Sequence, residues 1–157
     1  PDVRLLRNEL GEASLQDHAP RPGLLLSQYD SVDVERMAVL DYVTGQTDRH
    51  DENYATTKDG RPAAIDNGLC LSVSQADSIR SSFVSACFGK DLSPQVVERL
   101  RMTDRGALTV ELCRMGIGES VVHGAIARLD EIVKEGRISG SAWLGHIYSG
   151  DRRNMVK

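Results

Sequence analysis

The sequence predicts an α+β domain, mostly α-helical, with one small β-hairpin beside a polar loop. Three observations carry that expectation. Apolar residues recur at helical spacing over two long stretches, 33–44 and 119–135. An Asp-Gly turn joins two short β-prone segments between them, and seven polar or charged residues, 47–53, lead into that turn.

Composition bounds what the domain can be. The chain has 157 residues, 40% of them apolar and 4% aromatic, with 19 Lys plus Arg against 23 Asp plus Glu. A chain of this size buries roughly 68–70% of its unfolded surface, enough for a core without disulfides or a structural metal. The formal charge of −4 argues against a protein whose main work is to coat nucleic acid or an anionic membrane, since both need a basic face. No apolar run approaches the roughly 20 residues of a spanning helix. The expectation is a soluble chain with no membrane span and no nucleic-acid partner. Cys70, Cys87 and Cys113 show neither a Cys-x-x-Cys pair nor a His at ligand spacing, so they read as reduced, mostly buried thiols. With no signal peptide visible, the expected location is cytoplasmic, and secretion by a signal-less route stays open.

The elements follow in chain order. Residues 1–32, broken by Gly11, Pro20, Pro22 and Gly23, read as a connector or hinge-like segment with one helical turn and one strand. Asp33 is a plausible N-cap for a helix that carries Val34, Met37, Ala38, Leu40 and Val43 inward and ends at Gly45. Val39 and Tyr42 broaden its apolar face, so the helix should be buried on most sides. Asp41 within it reads as a local hydrogen-bonding group, as do His18, His123 and His146. The hairpin spans 54–66, with Lys58-Asp59-Gly60-Arg61 as its turn. The serines between Ser72 and Ser85 read as a polar loop. Ser93-Pro94 opens a helix running to Met102, and a further one carries Leu108 to Cys113 before Gly116. Glu119 to Glu135 carries one apolar stripe, closed by Gly136. A last short helix is expected around Ala142 to Tyr148, with Trp143 in the core, and 151–157 reads as a frayed tail. Together 33–150 form one helical domain.

The chemistry concentrates in the polar loop and the strand after it. Phosphoryl transfer needs charge neutralisation by metal ions and a positioned acceptor hydroxyl, which carboxylate and amide oxygens provide. In protein kinases one loop supplies an Asp at the acceptor and, five residues on, an Asn for a metal; a second Asp follows a strand and precedes a Gly. Here Asp48 and Asn53 are five apart, and Asp66 and Gly68 follow the hairpin. Each piece alone also fits a solvated loop or a turn; their conjunction in this order points to kinase ancestry.

The segments Glu35 to Val43, Asp48-Arg49-His50-Asp51-Glu52-Asn53 and Ala64-Ile65-Asp66-Asn67-Gly68 resemble the catalytic core of phosphatidylinositol 3- and 4-kinases. Type II 4-kinases and their bacterial relatives are the nearest in wording; Fam20-type and HipA-like kinases are more distant. The resemblance covers roughly residues 35 to 70, and the later helices fit a protein-kinase-like C-lobe in a general way. Ala13-Ser14-Leu15-Gln16 is similar to a segment between lobes. By position, the resemblance makes Asp48 the catalytic residue that orients or deprotonates the acceptor hydroxyl. Asn53 and Asp66 would hold the Mg²⁺ ions, or Mn²⁺, that bridge the phosphates of bound ATP. Arg49 and His50 complete the catalytic triplet, with His50 as an alternative base or a γ-phosphate contact. Asn67 stands where protein kinases carry an aromatic residue, and no role carries over to Asp51 or Glu52, both expected to be exposed.

A kinase also covers the phosphates with a Gly-rich segment and holds them with a strand Lys. The 47 residues before Asp48 contain neither a lysine nor a Gly-rich run. The resemblance therefore implies a C-lobe whose N-lobe is absent here, lost or supplied by a missing segment or a partner chain. One reading is an ATP- and Mg²⁺-dependent phosphotransferase acting on a protein or small-molecule hydroxyl, a choice the acidic balance favours over an inositol lipid. A lipid kinase and a non-catalytic kinase-like binding module are the alternatives; the presence of Asp48, Asn53 and Asp66 together weighs against the second.

Overall fold

The structure, a computed structural model, describes residues 3–8, 11–16, 21–72, 78–151 and 153–157. His18, Ser74 and Arg152 lie outside the described residues. Among those described it is α+β, with five α-helices and three small sheets.

Helix α1 (Ser31–Thr44) is the central element, with Val34, Met37, Ala38, Val39, Asp41 and Tyr42 buried. Burial on most sides follows from the apolar residues that flank its stripe. Its N-cap is Asp30, whose carboxylate accepts from the Val32 amide at 2.9 Å, three residues before the expected cap. Asp33 instead pairs with Arg36 at 2.9 Å and Arg61 at 3.4 Å.

Strands β4 (Tyr54–Thr56) and β5 (Pro62–Ala64) form the expected antiparallel hairpin, with Ala55 opposite Ala63. Gly60 takes the positive φ of 76° that its turn requires. The Tyr54 ring meets Phe83 edge-on at 4.9 Å between centroids, which ties the hairpin to the core.

The stretch before α1 carries more strand than a connector should. β1 (Val3–Asn8) pairs antiparallel with β2 (Gly11–Gln16), and β3 (Arg21–Pro22) joins the free edge of β4. Gly11, read as a break, opens the second strand, and the hinge-like Ala13 to Gln16 lies within it.

The serine-rich stretch also holds structure. β6 (Ser78–Arg80) leads into α2 (Ser82–Cys87), capped by Ser81, which accepts from the Val84 amide at 3.2 Å. Phe83, Val84 and Cys87 are buried. Six residues are too few for a periodic signal, and the serines masked the apolar face. Helices α3 (Pro94–Arg101), α4 (Arg105–Arg114) and α5 (Glu119–Glu135) lie where the sequence places them.

The last expected helix does not form. His146–Tyr148 is a strand, β7, running parallel to β6 with Ile147 opposite Ile79. The pairing with β6 holds this segment extended, and just before it the Glu131 carboxylate accepts from the amides of Ser139, Gly140 and Ala142 at 2.7–2.9 Å. Trp143 is buried all the same, with the Arg128 guanidinium 5.0 Å from its ring centroid. The tail is held rather than frayed: Val156 N donates to Ile147 O at 2.7 Å, and the Lys157 ammonium reaches the carbonyls of Gly140 and Trp143.

Of the three thiols only Cys87 is buried, and burial pushes it up to about 11; Cys70 is half-buried and Cys113 exposed. Among the described residues no helix is long and apolar enough to cross a membrane.

Candidate active site

The loop after α1 is built around one buried guanidinium. Arg49 is 1% exposed, and its donors are shared among four residues. Nε and Nη2 face the Asp41 carboxylate, with Nη2 to Oδ1 at 3.0 Å. Nη1 donates to the carbonyls of Asn53 and Ile65 at 2.6 Å each, and Nη2 to the Asn67 Oδ1 at 2.6 Å. Burying so strongly hydrated a group is tolerable only with all these partners present. Asp41 also accepts from the Ser81 hydroxyl at 2.7 Å; burial raises its carboxyl, opposed by Arg49 and Ser81. Both its oxygens are therefore engaged, in keeping with a local hydrogen-bonding role.

The effect of the Arg49 clamp is positional. One nitrogen bonds the carbonyls of Asn53 and Ile65, so the loop that bears Asp48 is fixed to the strand end that bears Asp66. Ile65 N donates back to Asn53 O at 3.3 Å, continuing the hairpin ladder to the mouth of the site. Asp66 has a left-handed φ of 51°, is exposed, and has no hydrogen-bond or ion-pair partner among the described residues. A non-glycine residue held there is a local strain of the kind that collects at functional positions. A methyl on Gly68 would sit 3.7 Å from the Asp66 Oδ1, an ordinary contact, so space alone does not demand glycine there.

Asp48 is partly exposed, at 24%. The Asn53 amide nitrogen donates to its backbone carbonyl at 2.7 Å and to its Oδ2 at 3.3 Å, which leaves the Asn53 side-chain oxygen without a hydrogen-bond partner among the described residues. His50 Nε2 lies 3.5 Å from the same Oδ2. Gln46 is fully buried: its Oε1 accepts from the Asp48 amide at 3.0 Å, and its Nε2 has no partner among the described residues. The structure thus brings Asp48, Arg49, His50 and Asn53 together, and joins Asp66 to them through Arg49. Asp51 and Glu52 are exposed, as expected.

Sequence reasoning missed Arg80 as a member of this site. Its Nη1 lies 2.5 Å from the Asp48 Oδ1 and its Nε donates to the Gly150 carbonyl at 2.7 Å. It faces an open cleft of about 740 Å³ together with His50, Ser82, Ser85 and Asp151. No local pattern marks it, because β6 acquires its place only through the parallel pairing with β7.

A family model of phosphatidylinositol 3- and 4-kinases matches residues 10–97, more than half of the chain. The chain belongs to the phosphatidylinositol 3- and 4-kinase family. The matched span is wider than the 35–70 stretch whose wording resembles that family. It takes in β2, β3, α1, the hairpin, α2 and the first turn of α3, and so contains Asp48, Asn53, Asp66 and Arg80. No curated protein and no solved structure matches the chain. Membership in this family carries a kinase-type phosphotransferase as its general activity.

Proposed function

We propose that this kinase-family chain carries the catalytic centre of an ATP- and Mg²⁺-dependent phosphotransferase whose acceptor is a hydroxyl of a protein or small molecule. The observation that carries the reading is the Arg49 clamp on the carbonyls of Asn53 and Ile65. A buried cation that ties the Asp48 loop to the Asp66 strand end has a clear use if the groups on the two segments act on one ligand.

The donor chemistry fits the metal. Among the described residues no group of three or more His, Cys, Asp or Glu could hold a metal ion by itself. Asn53 and Asp66 together offer oxygen donors only, the kind of sparse, hard set that Mg²⁺ uses when phosphates and water complete its shell. Mn²⁺ suits the same oxygens. The bound ion would neutralise charge on the nucleotide phosphates.

Asp48 then orients the acceptor hydroxyl and takes its proton, and Arg49, buried away from the cleft, is a positioning residue. His50 lines the cleft and lies within 3.5 Å of Asp48, which supports it as the second candidate for the base. The cleft bears Asp51, Glu52 and Asp151 as well, an acidic edge that disfavours a phosphorylated lipid headgroup.

Calorimetric titration with ATP in the presence and absence of Mg²⁺ tests the reading. Metal-dependent binding that Asp66→Asn abolishes is the expected result. Binding indifferent to both metal and Asp66 refutes it. Incubating a lysate with the protein and labelled ATP, followed by mass spectrometry, identifies the acceptor.

A further inference from the structure

Arg80 is anchored more firmly than a surface cation needs to be. Its amide donates to Gln46 O at 2.9 Å and its carbonyl accepts from Arg49 N at 2.9 Å, so its backbone is stitched to the catalytic loop. Its side chain is 17% exposed, with Nη1 on Asp48 and Nε on Gly150. Nη2 has no partner among the described residues, and the residue lines the cleft beside His50, Ser82 and Ser85. A guanidinium that merely balanced the Asp48 charge would not require a second anchor that fixes its plane, since holding a long side chain costs rotamer entropy.

We propose that Arg80 is a catalytic residue that contacts the phosphoryl group in transfer, an inference that rests on the phosphotransfer reading above. In that reaction the bond from the acceptor oxygen to the γ-phosphorus forms while the bond from that phosphorus to the β–γ bridging oxygen breaks. The acceptor proton passes to the Asp48 carboxylate, and ADP departs with the electron pair of the broken bond. Negative charge is spread over the equatorial oxygens at that moment, where a fixed guanidinium beside Asp48 stabilises it.

The test compares binding of ADP with binding of the ADP–aluminium fluoride complex, both with Mg²⁺, because the fluoride complex imitates the planar phosphoryl group. For Arg80→Ala the expected result is ADP affinity within about twofold of the unaltered protein and a loss of at least about tenfold for the fluoride complex. The transfer rate falls roughly 10³-fold or more, by analogy with catalytic arginines elsewhere. Arg80→Lys does not restore the rate, because an ammonium lacks the planar fork, whereas added guanidinium salt partly rescues Arg80→Ala. Arg80→Gln, which keeps a donor for Gly150, serves if the alanine variant loses its fold by circular dichroism. Equal affinity of variant and unaltered protein for the fluoride complex overturns the inference, and so does an equal loss for both ligands, which would assign Arg80 to holding the loop. Failure of the unaltered protein to bind either complex removes the phosphotransfer reading as well; binding of both by the unaltered protein keeps the two questions apart.

Discussion

Asp41 and Arg49 form an ion pair of 3.0 Å with side chains 0% and 1% exposed. It joins the central helix to the polar loop eight residues later, and Arg49 passes the constraint on to Asn53, Ile65 and Asn67.

Arg49→Ala leaves the Asp41 carboxylate buried without its cation. The expected cost is about 3–5 kcal/mol of folding stability. Arg49→Lys keeps the charge but cannot reach two carbonyls and two side chains at once, and should recover only part of that loss. Urea unfolding followed by circular dichroism measures both; an Arg49→Ala variant as stable as the unaltered protein would show that the clamp is not needed.

Exchanging the two proposed metal ligands should act chiefly on metal-dependent binding, with a smaller effect on the fold. Asp66 is exposed and has no partner among the described residues, so Asp66→Asn is expected to change stability by no more than about 0.5 kcal/mol. Asn53→Ala also loses its bonds to Asp48, and should cost about 1 kcal/mol besides. Both variants should weaken Mg²⁺-dependent ATP binding, as read by calorimetry over a series of metal concentrations.

Asp48 and His50 can be separated by their rates. If Asp48 takes the acceptor proton, Asp48→Asn lowers kcat roughly 10²–10⁴-fold, the usual worth of general base catalysis, while His50→Gln has a smaller effect. The reverse order assigns the base to His50. Steady-state kinetics on the acceptor found by mass spectrometry decides between them.

The buried Tyr42–Glu131 pair predicts a pH dependence. Burial raises the Glu131 carboxyl, but hydrogen bonds from Tyr42, Ala142 and Ser139 outweigh it and leave the group below its ordinary value of 4.5. A depressed carboxyl contributes stability that is fully present above about pH 4.5 and is lost as pH falls through the folded-state value. Tyr42→Phe removes a donor to this charge, with an expected cost of about 1.5–3 kcal/mol at neutral pH. That deficit should narrow in acid, as the pH falls below 4.5 and through the folded-state value and the carboxylate is neutralised. Denaturant titrations at neutral and acid pH test it; a deficit that does not change with pH would mean that Glu131 is not charged in the fold.

Much of this was legible locally. The apolar stripe of α5, the Asp-Gly hairpin and the spacing of Asp48, Asn53 and Asp66 are short-range patterns, and short-range patterns survive in sequence. The cap of α1 is Asp30, and Asp33, inside the first turn, pairs with Arg36 one turn on and with Arg61 from the hairpin, a contact that only the fold supplies. Helix α2 was hidden by the serines around Phe83 and Val84. Strand β7 was read as a helix because the partner that makes it a strand is distant in the chain. Arg80 was invisible for the same reason: its Gly150 anchor lies 70 residues further on.

That distance has a consequence for synthesis. Closing so long a loop is slow relative to forming a helix or a hairpin, and it cannot begin until β7 exists. A nascent chain can fold α1 and the hairpin early, with Asp48 and Asn53 already in place. Its Arg80 finds the Gly150 carbonyl only after β7 and the residues around Gly150 have left the ribosome. The cleft beside Arg80 is therefore completed after α1 and the hairpin, and a nascent chain that stops short of β7 is expected to carry the motif without the anchor that fixes the Arg80 side chain.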